Sequence, residues 1–198
     1  MRERAMELAT EWLGPRTELE IQRTLAREVE QERWTSLDRT LQREAVDGLV
    51  KVERFNEPKL QRQRLLLVGR LQRLQRMGLA TQTQPGTWAV HADAEKTLRA
   101  MGERGDIIRT MQRAMGGKQR DLAVFQPGED GHSIIGRVAG KGLADELYDR
   151  GYLVVDGIDG RAHYLKLPAG ADLTELPMYA IVEAKPPGRE KAVDRNIL

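Results

Sequence analysis

Cysteine is absent from the 198 residues. That excludes disulfides, thiolate metal sites and a cysteine nucleophile, and it makes the cytoplasm the expected location. No apolar run approaches the ~20 residues of a membrane span, so no membrane insertion is expected. The N-terminus, MRERAMELATEW, has charges where a signal peptide needs an apolar centre. Apolar residues are sparse at 40%, and charged ones reach 31%. A core built from so little requires strongly amphipathic helices.

A large net charge is lacking too. The total is only +2, but it is unevenly spread. Residues 1–116 hold 21 basic and 17 acidic side chains, giving +4, and residues 117–198 hold 11 and 13, giving −2. Arginine outnumbers lysine 24 to 8. Arginine makes forked bonds to phosphates and guanine edges, which suits nucleic acid. A codon bias toward arginine is the alternative cause.

The apolar period divides the chain in two. Residues 1–16 form a helical extension ending at Gly14-Pro15. A helical domain follows at 17–116. Thr17 to Glu20 has a capping-box pattern opening a helix over about 17–33, and Thr35 to Asp38 opens another through about Asp47, with Gly48 as its stop. A short strand at 49–52 precedes a helix from Pro58 to Met77, with Gly78 beyond its end. A hairpin over 81–90 turns at Pro85-Gly86, and a helix spans 94–115, with Gly102 and Gly105 against its continuity. Past Gly116-Gly117 the period changes to two. Strands are expected at 121–125, 133–138, 152–155, 163–167 and 180–184, with a tight loop at 157–160 and a helical turn or two at 143–150. These make a small β-barrel, SH3-like or a similar curled sheet, over 117–185. Residues 186–198 read as an exit linker and the start of a further helix, as if the chain were cut from something longer. The fold class is α+β.

Acids are missing altogether from residues 58–80, which hold Lys59, Arg62, Arg64, Arg70, Arg73 and Arg76. On a wheel, Leu67, Leu71 and Leu74 lie within about 40° of Leu60, and Arg62, Arg73 and Arg76 form a ridge about 160–220° from it. Helix, short link, helix and then a β-hairpin is the order of a winged helix, whose last helix before the hairpin enters the major groove. The expected DNA contacts are Arg62, Arg70, Arg73 and Arg76 on phosphates, Gln72 and Gln75 on base edges, and Thr83, Gln84 and Thr87 on the hairpin. The competing reading is a solvated helix whose arginines answer Glu28, Glu30 and Glu32.

Catalytic sets are absent. His91, His132 and His163 lack ligand spacing, and Tyr148, Tyr152, Tyr164 and Tyr179 have no base nearby in sequence. Gly136 to Gly142 lacks the Gly-Lys-Ser/Thr ending of a phosphate loop, and its glycines fit a bend or bulge. Asp156 and Asp159 fit turn formation better than a cation site. Asp145-Glu146 fits a solvated helix face. No cofactor is implied.

Two stretches carry a resemblance: GPRTELEIQRTLAREVEQERWTSLDRTL at 14–41, and GRVAGKGLADELYDRGYLVVDGIDGRAHYLKLPAGADLTELPMYAIVEA at 136–184, followed by AVDRNIL. Both are similar to the region downstream of the nuclease domain in relaxase/mobilisation-nuclease proteins of conjugative and integrative elements. The second stretch resembles a domain defined by sequence without an assigned function. The resemblance implies a full-length protein that nicks one strand at a transfer origin through a tyrosine and is exported with the DNA. The metal-binding histidine cluster of that nuclease has no counterpart here, so no catalytic residue carries over.

The expected function is therefore a non-catalytic DNA-binding segment of a conjugative relaxase. Its partner would be transfer-origin DNA. The alternative is a protein-interaction or export-signal module that docks on the coupling protein of a type IV secretion channel. A third reading is a winged-helix transcription regulator.

Overall fold

The structure, a computed structural model, describes residues 15–125, 133–145 and 150–185. Residues 1–14 of the expected extension, His132, Tyr148, the linker at 186–188 and the helix at 193–198 lie outside the described residues. The described chain is α+β, with two sheets. It divides into two compact units, at Met1–Arg104 and Gly105–Leu198.

The first unit begins with α1 (Pro15–Val29) and α2 (Ser36–Glu44). Helix α1 already contains Thr17, which therefore stands inside the first turns and not at a cap. The second box forms as the spacing predicts. The Thr35 N–H donates to Asp38 Oδ2 at 2.8 Å, and the Asp38 N–H donates to Thr35 Oγ1 at 3.4 Å. Glu28 adds a second cap from outside the helix. Its Oε2 accepts from the Ser36 N–H, the Ser36 hydroxyl and the Leu37 N–H. Two carboxylates thus serve the free N–H groups of one nine-residue helix, which is too short to persist alone.

Helix α2 stops before the turn at Asp47 and Gly48, both at positive φ, leading into β1 (Leu49–Lys51). Helix α3 (Pro58–Arg76) follows, starting at a proline whose missing N–H is no loss there. Gly78 beyond it has a φ of 73°. Strands β2 (Ala80–Gln84) and β3 (Thr87–Val90) form the expected hairpin, and the three strands align as β1-β3-β2, all antiparallel. The core joins Leu67, Leu71 and Leu74 of α3 to Leu37, Leu41, Val50, Trp88 and Leu98. Helix α4 (Ala94–Met115) is continuous through both glycines. At Gly102 a Cβ would lie 2.9 Å from Arg33 Cβ, so that position is glycine for lack of room.

The second unit is a five-stranded sheet of β4 (Asp121–Phe125), β5 (Ile134–Asp145), β6 (Arg150–Gly157), β7 (Arg161–Ala169) and β8 (Ile181–Ala184), in the order β4-β7-β6-β5-β8. Among the described residues it stays open and does not close into the expected barrel. Among those residues β4 and β8 each pair with a single neighbour, and β4 runs parallel to β7. One face packs Val138, Leu153, Val155 and Leu165 beneath Leu173 and Leu176. The other packs Val154, Ala162 and Tyr164 against Met111 and Met115 of α4. Residues 143–145, expected in a helical turn, extend β5 instead. The register slips between Val138 and Gly140 and between Leu143 and Asp145, so the glycine-rich run is a bulged strand. A Cβ on Gly136 would meet the Asp156 carbonyl oxygen at 2.5 Å, and one on Gly140 would meet Ala114 Cβ at 2.8 Å.

Candidate nucleic-acid interface

Helix α3 carries Leu67, Leu71 and Leu74 of its expected seam inward, while Leu60 at its start is exposed, and the arginine ridge opposite is not open. Gly69 sits in the middle of that ridge. Its missing side chain lets Val29 of α1 approach to 3.3 Å from where a Cβ would be. The acidic end of α1 and the residues after it then lie along the ridge. Arg73 pairs with Glu32 at 2.7 Å and with Glu30 at 3.5 Å, and Arg76 pairs with Glu30 at 3.2 Å. The Arg73 side chain is only 23% exposed.

Arg70 is withdrawn completely, with 0% exposure. Its Nε and Nη2 form a fork on the two oxygens of Asp38, both at 2.8 Å. Nη1 donates to the carbonyls of Glu28, Val29 and Gln31, and Nη2 to that of Arg33. Glu28 and Val29 end α1, where carbonyls lack α-helical donors, and Gln31 and Arg33 follow in the turn after it. Arg70 is thus a buried cap for one helix and a counter-ion for the N-terminal box of the next. Its expected contact with DNA is corrected. A guanidinium whose donors are all engaged inside the protein has nothing left to offer a phosphate. Arg73 and Arg76 each face a carboxylate, and the Arg76 side chain stays 55% exposed.

The other expected contacts remain at the surface. Arg62, Gln72, Gln75, Thr83 and Gln84 are exposed, and Thr87 is half-buried. Three further cations were not among those expected contacts: Lys51, Arg54 and Lys59. With Arg62 they are exposed and form no ion pair among the described residues, although Glu53 and Glu57 share the segment. The Val52 N–H donates to the Gly86 carbonyl at 2.8 Å, and Lys51 pairs with Thr87 across the ladder. The hairpin turn therefore lies beside the loop that starts α3. The absence of acids from 58 onward signalled Lys59. Nothing local signalled Lys51 or Arg54, because a long-range strand pairing brings them in.

In the second unit, Asp156 gathers three cations. Lys118 Nζ lies at 3.1 Å, Arg120 Nε at 2.9 Å and Arg137 Nη2 at 3.9 Å from its oxygens. Burial pushes the Asp156 carboxyl up, but the hydrogen bonds from Lys118 and Arg120 outweigh this and hold it below its ordinary value. An open cavity of about 500 Å³ borders Lys118, Arg120, Gln112 and Gln119. Asp159 serves the turn, accepting from the Arg161 N–H at 3.1 Å and facing His163 Nε2 at 2.9 Å. Burial pushes its carboxyl up, and these two bonds bring it below the ordinary range. No group of three metal-ligating side chains occurs among the described residues. No helix among them is long and apolar enough to cross a membrane.

No curated protein and no solved structure matches the chain. One family does, over residues 67–198, which begins within α3 and takes in the hairpin, α4 and the whole second unit. That is about two thirds of the sequence, and the chain belongs to the DUF3363 family, described as a protein of unknown function.

Proposed function

We propose that the chain is a non-catalytic DNA-binding segment of a relaxase, and that its first unit is a winged-helix variant gripping duplex DNA near a transfer origin. The relaxase context rests on the resemblance of residues 14–41 and 136–184. One observation carries the DNA reading. The start of α3 and the hairpin turn meet at one end of the unit, where Lys51, Arg54, Lys59 and Arg62 form no ion pair among the described residues. The strand order β1-β3-β2, with the long helix feeding the hairpin, supports the winged-helix reading. A single helix stands where a winged helix ordinarily has two, hence a variant. Contact moves from the ridge to the helix start. The four cations hold phosphates, and the exposed Thr83 and Gln84 reach the backbone beside them.

Four neutralised phosphates give a slope of about −3.6 for log affinity against log salt. In a gel-shift titration with duplex DNA, the K59E/R62E double variant should weaken binding on every sequence and bring the slope to about −1.8 or flatter. Unchanged affinity in that variant places the contact elsewhere.

A second reading has its own observation. Ile158 and Ile181 of the second unit are each 80% exposed, which suits docking on a protein such as a secretion coupling protein. Absence of any salt-sensitive DNA binding favours it.

A further inference from the structure

Tyr179 is out of keeping with its surroundings. It is 69% exposed, and its φ of 69° lies in the left-handed region, costly for any residue with a Cβ. The backbone is pinned there. The Tyr179 N–H donates to the Val138 carbonyl and the Val138 N–H to the Ala180 carbonyl, both at 2.9 Å. The ring is thus held out from the sheet edge, one face towards Arg137, whose guanidinium carbon lies 5.9 Å from its centroid.

Arg137 opens a row of charge. It is the register partner of Asp156 on β6, and Asp156 in turn holds Arg120 and Lys118. Three cations share one carboxylate, leaving a surplus of two positive charges. All three stay accessible, at 52%, 36% and 52% exposure for Lys118, Arg120 and Arg137. The nearest acid on β8, Glu183, is taken by Lys185 at 3.3 Å. Ile181, opposite Arg137 on β8 and two residues on from Tyr179, is 80% exposed and adds apolar surface.

An exposed aromatic face joined to a fan of partly satisfied cations is what single-stranded nucleic acid requires. Bases stack on the ring, and phosphates follow the charges. Duplex bases are already stacked on one another and cannot use the ring. We propose that this face of the second unit is a binding site for single-stranded nucleic acid, in which Tyr179 stacks a base and Arg137, Arg120 and Lys118 hold the adjoining phosphates. It is independent of the duplex contact assigned to the first unit.

The test uses the full chain and fluorescence anisotropy with labelled oligothymidylate of about twelve nucleotides, oligouridylate of that length, and a duplex. Tyr179→Gly suits the left-handed backbone, so it removes the ring from a chain that still folds. Binding of the single strand should fall about tenfold in Tyr179→Gly and stay near the starting value in Tyr179→Phe. Arg137→Gln should reduce the salt slope by about 0.7. Duplex binding should be unmoved by both, and K59E/R62E should reverse the pattern, losing duplex and keeping single strand. The oligouridylate arm decides between RNA and DNA as the better ligand. Single-strand binding that Tyr179→Gly leaves intact, or no preference for single strand over duplex at this face, overturns the assignment. A flat duplex arm with the single-strand arm intact overturns only the reading of the first unit.

Discussion

Arg70 and Asp156 are mirror images in charge. Around Arg70, one cation is surrounded by acceptors: two carboxylate oxygens and four backbone carbonyls. Around Asp156, one anion is surrounded by three cations. The first cluster is saturated and closed to water, so its charge is structural. The second is unbalanced and open, so its charge is available. Counting arginines along the sequence ranks these clusters the wrong way round. What decides availability is how many acceptors the fold delivers to each guanidinium.

The sharpest way to break this contrast is to remove the saturated cation. Arg70→Ala leaves Asp38 buried without its guanidinium and removes the arginine's bonds to four carbonyls, of which Glu28 keeps the Gln31 N–H. A loss of about 3–5 kcal/mol is expected, read from the urea midpoint of the first unit. Arg70→Lys should recover little of it, because an ammonium cannot span both Asp38 oxygens and the carbonyls together. A variant Arg70→Ala with wild-type stability would mean the fork is ornamental.

Removing the shared anion probes the opposite case. Asp156→Asn leaves Lys118, Arg120 and Arg137 repelling one another, and a loss toward the lower end of about 1–3 kcal/mol is expected, since the partners are solvated. Acid should reveal the same carboxylate. Its value is depressed in the folded state, so its stabilisation is present above the unfolded carboxylate range. That stabilisation is lost as pH falls through the folded value. Asp156→Asn should flatten the acid limb of a pH–stability curve. An identical limb in the variant would assign acid sensitivity to other groups, Asp159 first.

The smallest effect comes from unmasking the ridge. Glu30→Gln with Glu32→Gln removes exposed ion pairs worth about 0.2–1 kcal/mol, so the fold should barely change. Arg73 and Arg76 would then be available to phosphate. Duplex affinity should rise, and the salt slope should steepen by up to about 0.9 per cation recruited. No gain in affinity would place the ridge away from the DNA path.

Local chemistry was legible wherever it acts over a few residues. The Thr35–Asp38 box, the proline start and glycine exit of α3, and the Pro85-Gly86 hairpin all formed as spacing predicts. The α3 wheel found Leu67, Leu71 and Leu74 for the same reason, and missed that Leu60 is exposed. It failed on the far side because a wheel shows one helix without its neighbours. Gly69 was the missed sign: a glycine amid arginines marks where another helix comes close. The acids at 28–32 were visible in the sequence, but their reach to Arg73 and Arg76 depends on the crossing of two helices. Open versus closed sheet was equally out of reach, because β4 pairs with a strand far downstream.

That parallel pairing has a consequence for the order of events in a growing chain. Strand β4 leaves the ribosome well before residues 161–165, its partners in the ladder among the described residues. The β6–β7 hairpin needs just a short turn to close, whereas β4 must bridge a long loop, and entropy delays such closures. For that interval a newborn chain displays Leu122, Val124 and Phe125 with no strand beside them, and cellular holdases would find their easiest purchase there.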